Sequence, residues 1–341
     1  LFGASSPLSK LLLGNFDPIV LAGFLYLGSG VSAWLLFTLK GGWKASTSNE
    51  ARLTRGDLPW LAGAVAAGGV IAPILQMLGL AQTPASTASL LLNFEAVATT
   101  LLAVWLFKES VGRRILLAMS LTTLAAILLS WTPGTWGVTP AALLILLACF
   151  FWGIDNNLTR HISDKDPLMI VGIKGIVAGS FSLLLSLALG RPLPSLGLVA
   201  LAMLLGAFSY GLSIQFFILA LRSLGAARTS TLYGVAPFIG VLLSFILLHE
   251  SPTIYFWLAL PLMILGAWLM VSEQHAHLHF HPQMVHTHAH THPGDLHHQH
   301  EHPELDLSHG PITHSHEHTH EPLTHNHPHT PDQHHWHEHN A

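Results

Sequence analysis

Residues 84–109, PASTASLLLNFEAVATTLLAVWLFKE, form an apolar run with one acid, Glu95, near its middle and a charged stop at Lys108–Glu109. The hydrocarbon core of a bilayer takes about 20 apolar residues of helix, so the run is long enough to cross it once. The same frame returns 141 positions later as residues 227–250, ARTSTLYGVAPFIGVLLSFILLHE, where Glu109 falls on Glu250, Ser89 on Ser230, Leu91 on Leu232 and Ala96 on Pro237. A self-similar period of this length makes the chain two copies of one unit, and the unit is built of membrane-length helices. A carboxylate held at mid-depth is costly in lipid, so Glu95 marks a functional site by default.

Further apolar spans are expected at 18–39, 59–81, 84–107, 115–131, 139–158, 167–189, 195–221, 227–248 and 252–272. The opening stretch LFGASSPLSKLLLG resembles FWGIDNNLTR in the second copy: Phe2-Gly3 falls on Trp152-Gly153, and Asp17-Pro18 on Asp166-Pro167. The second copy has the apolar run AALLILLACF before this motif and the first has almost nothing. The expectation is a first span whose N-terminal half is missing, making ten in all. A cleaved signal peptide is the rival reading of that start.

Pro18, Pro59, Pro84, Pro140, Pro167 and Pro252 sit just inside span starts, where the missing N–H has no helical partner to lose. Pro73, Pro237 and Pro261 lie deeper and are expected to kink their helices. Trp34, Trp60, Trp105, Trp131, Trp136 and Trp268 fall near span ends, as an interfacial belt places them.

Charge sets orientation. With the loops taken alternately from an N-terminus inside, the inner loops hold eleven Lys and Arg: Lys40, Lys44, Arg52, Arg55, Lys108, Arg113, Arg114, Arg160, Lys165, Arg222 and Arg228. The outer loops hold Lys10 and Arg191, and Lys174 lies within a span. The positive-inside rule then puts both termini in the cytoplasm. Five spans per copy is odd, so the copies insert in opposite senses. Inverted repeats are the mark of secondary transporters, whose sites lie near mid-membrane.

FGASSPLSKLLL, LLLNFEAVATTLLAVWLFKE and YGVAPFIGVLLSFILLHE resemble the EamA-type members of the drug/metabolite transporter superfamily, and the resemblance covers residues 1–272. It implies ten helices around a central cavity and the export or uptake of small metabolites, amino-acid-like compounds or drugs. The expected protein is an all-α, multi-pass permease of the inner (cytoplasmic) membrane. Its repeats are 1–131 and 139–272, followed by a disordered cytoplasmic tail, 273–341. Lipid and a small-molecule substrate are its expected partners. No nucleophile–base pair, phosphate loop or dinucleotide turn points to an enzyme, and no basic patch with interleaved aromatics points to nucleic acid.

The candidate translocation residues are polar groups placed in spans. Counted at about 1.5 Å per residue, Glu95 is roughly 18 Å from the inner end of its span and Lys174 roughly 10 Å, close enough for two long side chains to pair. Snorkelling of Lys174 to the inner headgroups is the competing reading. Tyr26, Gln76, Asn93, Tyr210 and Gln215 can line a polar route or close interhelical hydrogen bonds. Tyr233 precedes Pro237 by four residues, so its carbonyl is freed. Asp155-Asn156-Asn157 either cap their helix or line the cytoplasmic mouth. Cys149 stands alone in an apolar run, which rules out an internal disulfide.

The tail is a different polymer. Residues 1–272 hold all 14 Lys and Arg and nine acids, while residues 273–341 hold nine acids, no Lys or Arg and 24 of the 26 His. His275, His277, His279 and His281 alternate with other residues, as do His286, His288, His290 and His292, and His314, His316, His318 and His320. Alternate residues share one side of an extended chain, and imidazole suits zinc, nickel, cobalt or copper. The tail is therefore a candidate metal-binding or metal-sensing segment, although transport itself requires no cofactor. Two rival functions follow: a transition-metal transporter, or a membrane metal sensor that transports nothing. Proline, polar and acidic spacers predict disorder without metal.

Overall fold

The computed structural model describes residues 1–40, 53–107, 112–131, 139–163, 165–219, 233–234 and 236–271, and the backbone of four segments of the tail. After a single turn at Phe2–Ala4 come the helices α1 (Ser5–Leu13), α2 (Pro18–Leu39) and α3 (Arg55–Gln82). They are followed by α4 (Ala85–Leu91), α5 (Phe94–Phe107), α6 (Arg113–Ser130), α7 (Pro140–Arg160) and α8 (Pro167–Ala188). The last three are α9 (Leu196–Leu219), α10 (Ala236–Leu248) and α11 (Ile254–Val271). Among the described residues seven helical segments are long and apolar enough to cross a membrane, with α4 and α5 together forming one of them; α10 and α11 are apolar but shorter. Glu109, Arg222, Arg228 and His275 lie outside the described residues.

The helices begin where the sequence dictates. Asp17 and Asp166 each precede a proline and each accept a hydrogen bond from the second helical N–H, Ile19 N at 2.9 Å and Leu168 N at 2.8 Å. Asp satisfies a donor the helix cannot, and Pro at the first position loses none. The outward face is apolar: Leu35, Trp105, Phe181, Leu184, Leu196, Leu242 and Trp268 are all exposed. A soluble chain buries such groups, whereas a membrane solvates them. Inside, α2 packs on α8 where Gly30 meets Gly175 backbone to backbone. Small residues let two helices approach this closely where lipid offers no hydrophobic drive.

Two irregularities recur in the second copy at the spacing of the repeat. α3 contains a π turn at Val65–Ile71, and α9 contains one at Ala207–Leu212. The span expected to run unbroken over 84–107 is interrupted by a turn at Leu92–Asn93; its counterpart turns at Gly234 before α10 begins. Pro237, expected to kink a helix from within, stands in the first turn of α10, where its missing N–H is least felt, whereas Pro73 lies inside α3, directly after the π turn at Val65–Ile71. Pro261 lies inside α11.

Four segments of the tail have strand backbone. β1 (Ala276–His281) pairs antiparallel with β4 (Leu323–Pro328), and β2 (Met284–His292) with β3 (Ile312–His320). The register sets His opposite His: His286↔His318, His288↔His316 and His290↔His314 in one pair, His277↔His327 and His279↔His325 in the other. The period-two alternation of His with Thr, Ala and Ser, visible in the sequence, fits a pleated strand.

Candidate functional site

The π turn in α3 creates the first element of the site. In a π turn the carbonyl of Gly68 would accept from the N–H five residues on, and that residue is Pro73, which has none. The carbonyl is taken instead by side chains from two other helices: Tyr26 OH of α2 at 2.6 Å and Trp152 Nε1 of α7 at 3.2 Å. A buried carbonyl without a donor costs about 1–3 kcal/mol, so these two bonds lock three spans to one backbone atom. Gly68 also lies against Asp155, whose carboxylate occupies the space that a Cβ would take.

The break between α4 and α5 provides the second element. Leu92 and Asn93 leave the helix, the carbonyl of Leu91 accepts from Cys149 Sγ at 3.6 Å, and Asn93 Nδ2 turns back to Leu90 O at 3.3 Å. Glu95 thereby falls in the first turn of α5. A helix N-terminus favours negative charge, which makes a membrane carboxylate more tolerable here than in mid-helix. Asn156 of α7 donates to Glu95 Oε1 at 2.8 Å and lies 3.2 Å from Thr99 Oγ1, while Asn157 donates to Thr99 O and Gly153 O at 3.1 and 2.8 Å. Glu95, Asn156 and Tyr233 are half-buried, whereas their neighbours Asp155, Tyr26 and Tyr210 are buried.

Lys174 does not reach Glu95. It pairs with Asp155, and both are almost fully buried. Neither snorkelling nor the Glu95 pairing describes it, because the residue next to Asn156 offers a closer acid. Asp155 also accepts from Thr159 Oγ1 at 3.0 Å.

Aromatic rings close the centre. Phe2 stacks on Tyr233 at 5.3 Å and meets Tyr210 and Trp152 edge-on at 5.8 and 6.3 Å; Tyr26 and Tyr210 lie 5.5 Å apart. Tyr210 OH donates to Gln76 Oε1 at 3.1 Å. Gln76 Nε2 and Gln215 Nε2 are buried donors with no acceptor among the described residues. The structure thus joins Tyr26, Gln76, Tyr210 and Tyr233 in one cluster and sets Glu95 and Lys174 beside it on α7 partners. Asn93 serves the helix break. Trp152 and Phe2 escaped selection as site residues, whereas Asp155 and Asn156, read from the sequence as a cap or as lining the cytoplasmic mouth, hold Lys174 and Glu95 instead. Among the described residues no group of three or more His, Cys, Asp or Glu could hold a metal ion.

At the opposite end of α4 a second polar knot ties the bundle. Glu250 accepts from Ala85 N at 2.6 Å, from Ser86 N at 2.9 Å and from Ser86 Oγ. Lys10 Nζ donates to the carbonyls of Leu80, Ala81 and Thr83 at 2.7, 3.0 and 3.0 Å. Together they satisfy the end of α3 and the start of α4.

The EamA-like transporter family matches residues 1–131 and 139–272. An uncharacterized transporter of Methanothermobacter thermautotrophicus (strain Delta H) is 29% identical over 286 residues, covering 79% of this chain and 82% of that protein. The uncharacterized transporter YwfM of Bacillus subtilis (strain 168) is 26% identical over 133 residues, or 39% of this chain and 45% of that one. A protein of known crystal structure, 16% identical, superposes with a TM-score of 0.58 over 79% of this chain and 91% of its own. That likeness shows the fold.

Proposed function

Since the chain belongs to the EamA-like transporter family, we propose that it is a secondary transporter of small organic solutes, with the translocation site at Glu95 and the Asp155–Lys174 pair. The observation that carries this reading is a carboxylate in the first turn of a half-helix, half-buried at mid-span and held by an amide from a neighbouring span. Broken helices with ionisable groups at their ends are where secondary transporters bind cargo, and intramembrane charges face such routes. On this reading ten spans form two inverted repeats, in agreement with the matching π turns and matching breaks. The protein sits in the cytoplasmic membrane with both termini inside, and it performs no covalent chemistry.

A second function is proposed for the tail. The opposed His of its strand pairs favour binding of zinc, nickel, cobalt or copper, which would make residues 276–328 a metal buffer or sensor appended to a body that moves something else. Flux in proteoliposomes separates the readings. Uptake of an organic solute that Glu95→Gln abolishes supports the transporter; metal flux favours the metal transporter; no flux of either leaves the sensor.

A further inference from the structure

We propose that the central site takes a cation with an apolar or aromatic body, an organic amine, rather than an anion or a neutral metabolite. The inference rests on the transporter reading of this site and follows from counting its charges. Lys174 and Asp155 contact each other directly, so each neutralises the other. Glu95 is held by the neutral amide of Asn156, and no Lys, Arg or His ion pair to it occurs among the described residues. With all three groups ionised the site carries one uncompensated negative charge, deep in the membrane, where a counter-charge is most strongly favoured.

Two features turn that charge toward an organic cation. First, the N-terminus of α5 would ordinarily draw an anion, but its first turn already holds Glu95, so an incoming carboxylate meets like charge instead of free N–H groups. Second, the wall is aromatic: Phe2, Tyr26, Trp152, Tyr210 and Tyr233 pack ring against ring, and Asn156, which holds Glu95, is one helical turn from Trp152 on α7. Ring faces attract cations, more so when water is excluded. A bare divalent metal fits poorly, because hard ions require several oxygen ligands and borderline ions several imidazoles or thiolates, and the described residues provide no such group. The unpaired Nε2 of Gln76, beside Tyr210, remains a donor for a hydroxyl or carbonyl on the solute.

Three probes with one ring and three charges test this: phenethylamine, 2-phenylethanol and 3-phenylpropionate, at equilibrium with the full chain in lipid nanodiscs, with empty nanodiscs subtracted. The amine is expected to bind at least about ten-fold more tightly than the other two. Glu95→Gln should remove that preference and Glu95→Asp should keep part of it. Equal binding of all three, tighter binding of the acid or alcohol, binding of none, or an amine preference intact in Glu95→Gln overturns the proposal. If Glu95→Gln does not fold, the wild-type ranking alone decides. Glu95-dependent flux of a neutral or anionic solute removes the cation assignment and leaves the transporter standing. Amine binding without flux of any solute keeps the site and removes the transporter.

Discussion

Lys174 pairs with Asp155, and Asp155 is the chain neighbour of Asn156, which holds Glu95. One turn of α7 therefore positions both charged spans, α5 on one side and α8 on the other. Removing the acid strands the ammonium in a site closed to water, which costs about 3–5 kcal/mol, whereas removing both charges together is close to neutral. Asp155→Asn is expected to lower the melting temperature in detergent sharply, and Asp155→Leu with Lys174→Met to recover most of it. Asp155→Asn melting like wild type would show that the pair holds nothing together.

Gly68 is the point where the π turn meets that pair. A Cβ there would overlap the Asp155 carboxylate, so Gly68→Ala must displace either the α3 backbone or the ion pair. Overpacking of this kind costs about 1–3 kcal/mol. The loss should overlap that of Asp155→Asn, with the double variant little worse than the worse single one, since the two act on one contact. Simple additivity of the two melting shifts would place Gly68 outside this network.

Much of this architecture is legible in the chain. The Asp-Pro pairs announce α2 and α8, apolar length announces the spans, and the recurrence of residues 84–109 announces the two copies. The break at Leu92–Asn93 was not legible. Asn93 is the only hint, and one polar residue in a span is equally compatible with an unbroken helix. The π turn follows from Pro73 only once the partners of Gly68 O are known, because a proline alone predicts a kink. The choice of Asp155 over Glu95 as the partner of Lys174 depends on helix rotation, and depth counted along a span carries no information about rotation.

Both termini are expected on the cytoplasmic side. Eleven Lys and Arg fall in one set of loops and two in the other. Cysteines at Ser48 and Ser308 should resist an impermeant thiol reagent applied to intact cells, with Cys149 silent because it is buried. Labelling of either new cysteine from outside overturns the orientation.

His161, just beyond α7, stacks on Trp60 with ring centroids 4.0 Å apart. Burial, and then the nearby positive charge of Arg160, hold its pKa below the ordinary value of 6.5. The folded state therefore favours neutral imidazole. Its contribution to stability is present above the unfolded pKa of about 6.5 and is lost as pH falls below it. In a chain ending at Glu273, which removes the 24 tail His, the melting temperature should drop between pH 7.5 and 5.5, and His161→Phe should reduce that drop. An identical pH profile in His161→Phe would assign the effect to other groups.

The tail prediction follows from register. Residues directly opposite in an antiparallel pair share a face, so each rung sets one His against another across the two strands. A two-stranded sheet is marginal by itself, and an ion bound across a rung joins residues far apart in sequence, such as His288 of β2 and His316 of β3. The full chain in detergent should take up zinc or nickel near neutral pH and ignore magnesium, with affinity falling below about pH 6.5 as imidazole protonates. His288→Ala and His316→Ala lie on one rung. Each should weaken uptake alone, and together they should do little more than either. His288→Ala with His279→Ala, on the other strand pair, should instead add. Strict additivity within the rung would mean that ions bind along single strands. Truncation after Glu273 should abolish uptake while leaving solute flux intact; lost flux, or no zinc or nickel uptake by the full chain, ends the division of labour between body and tail.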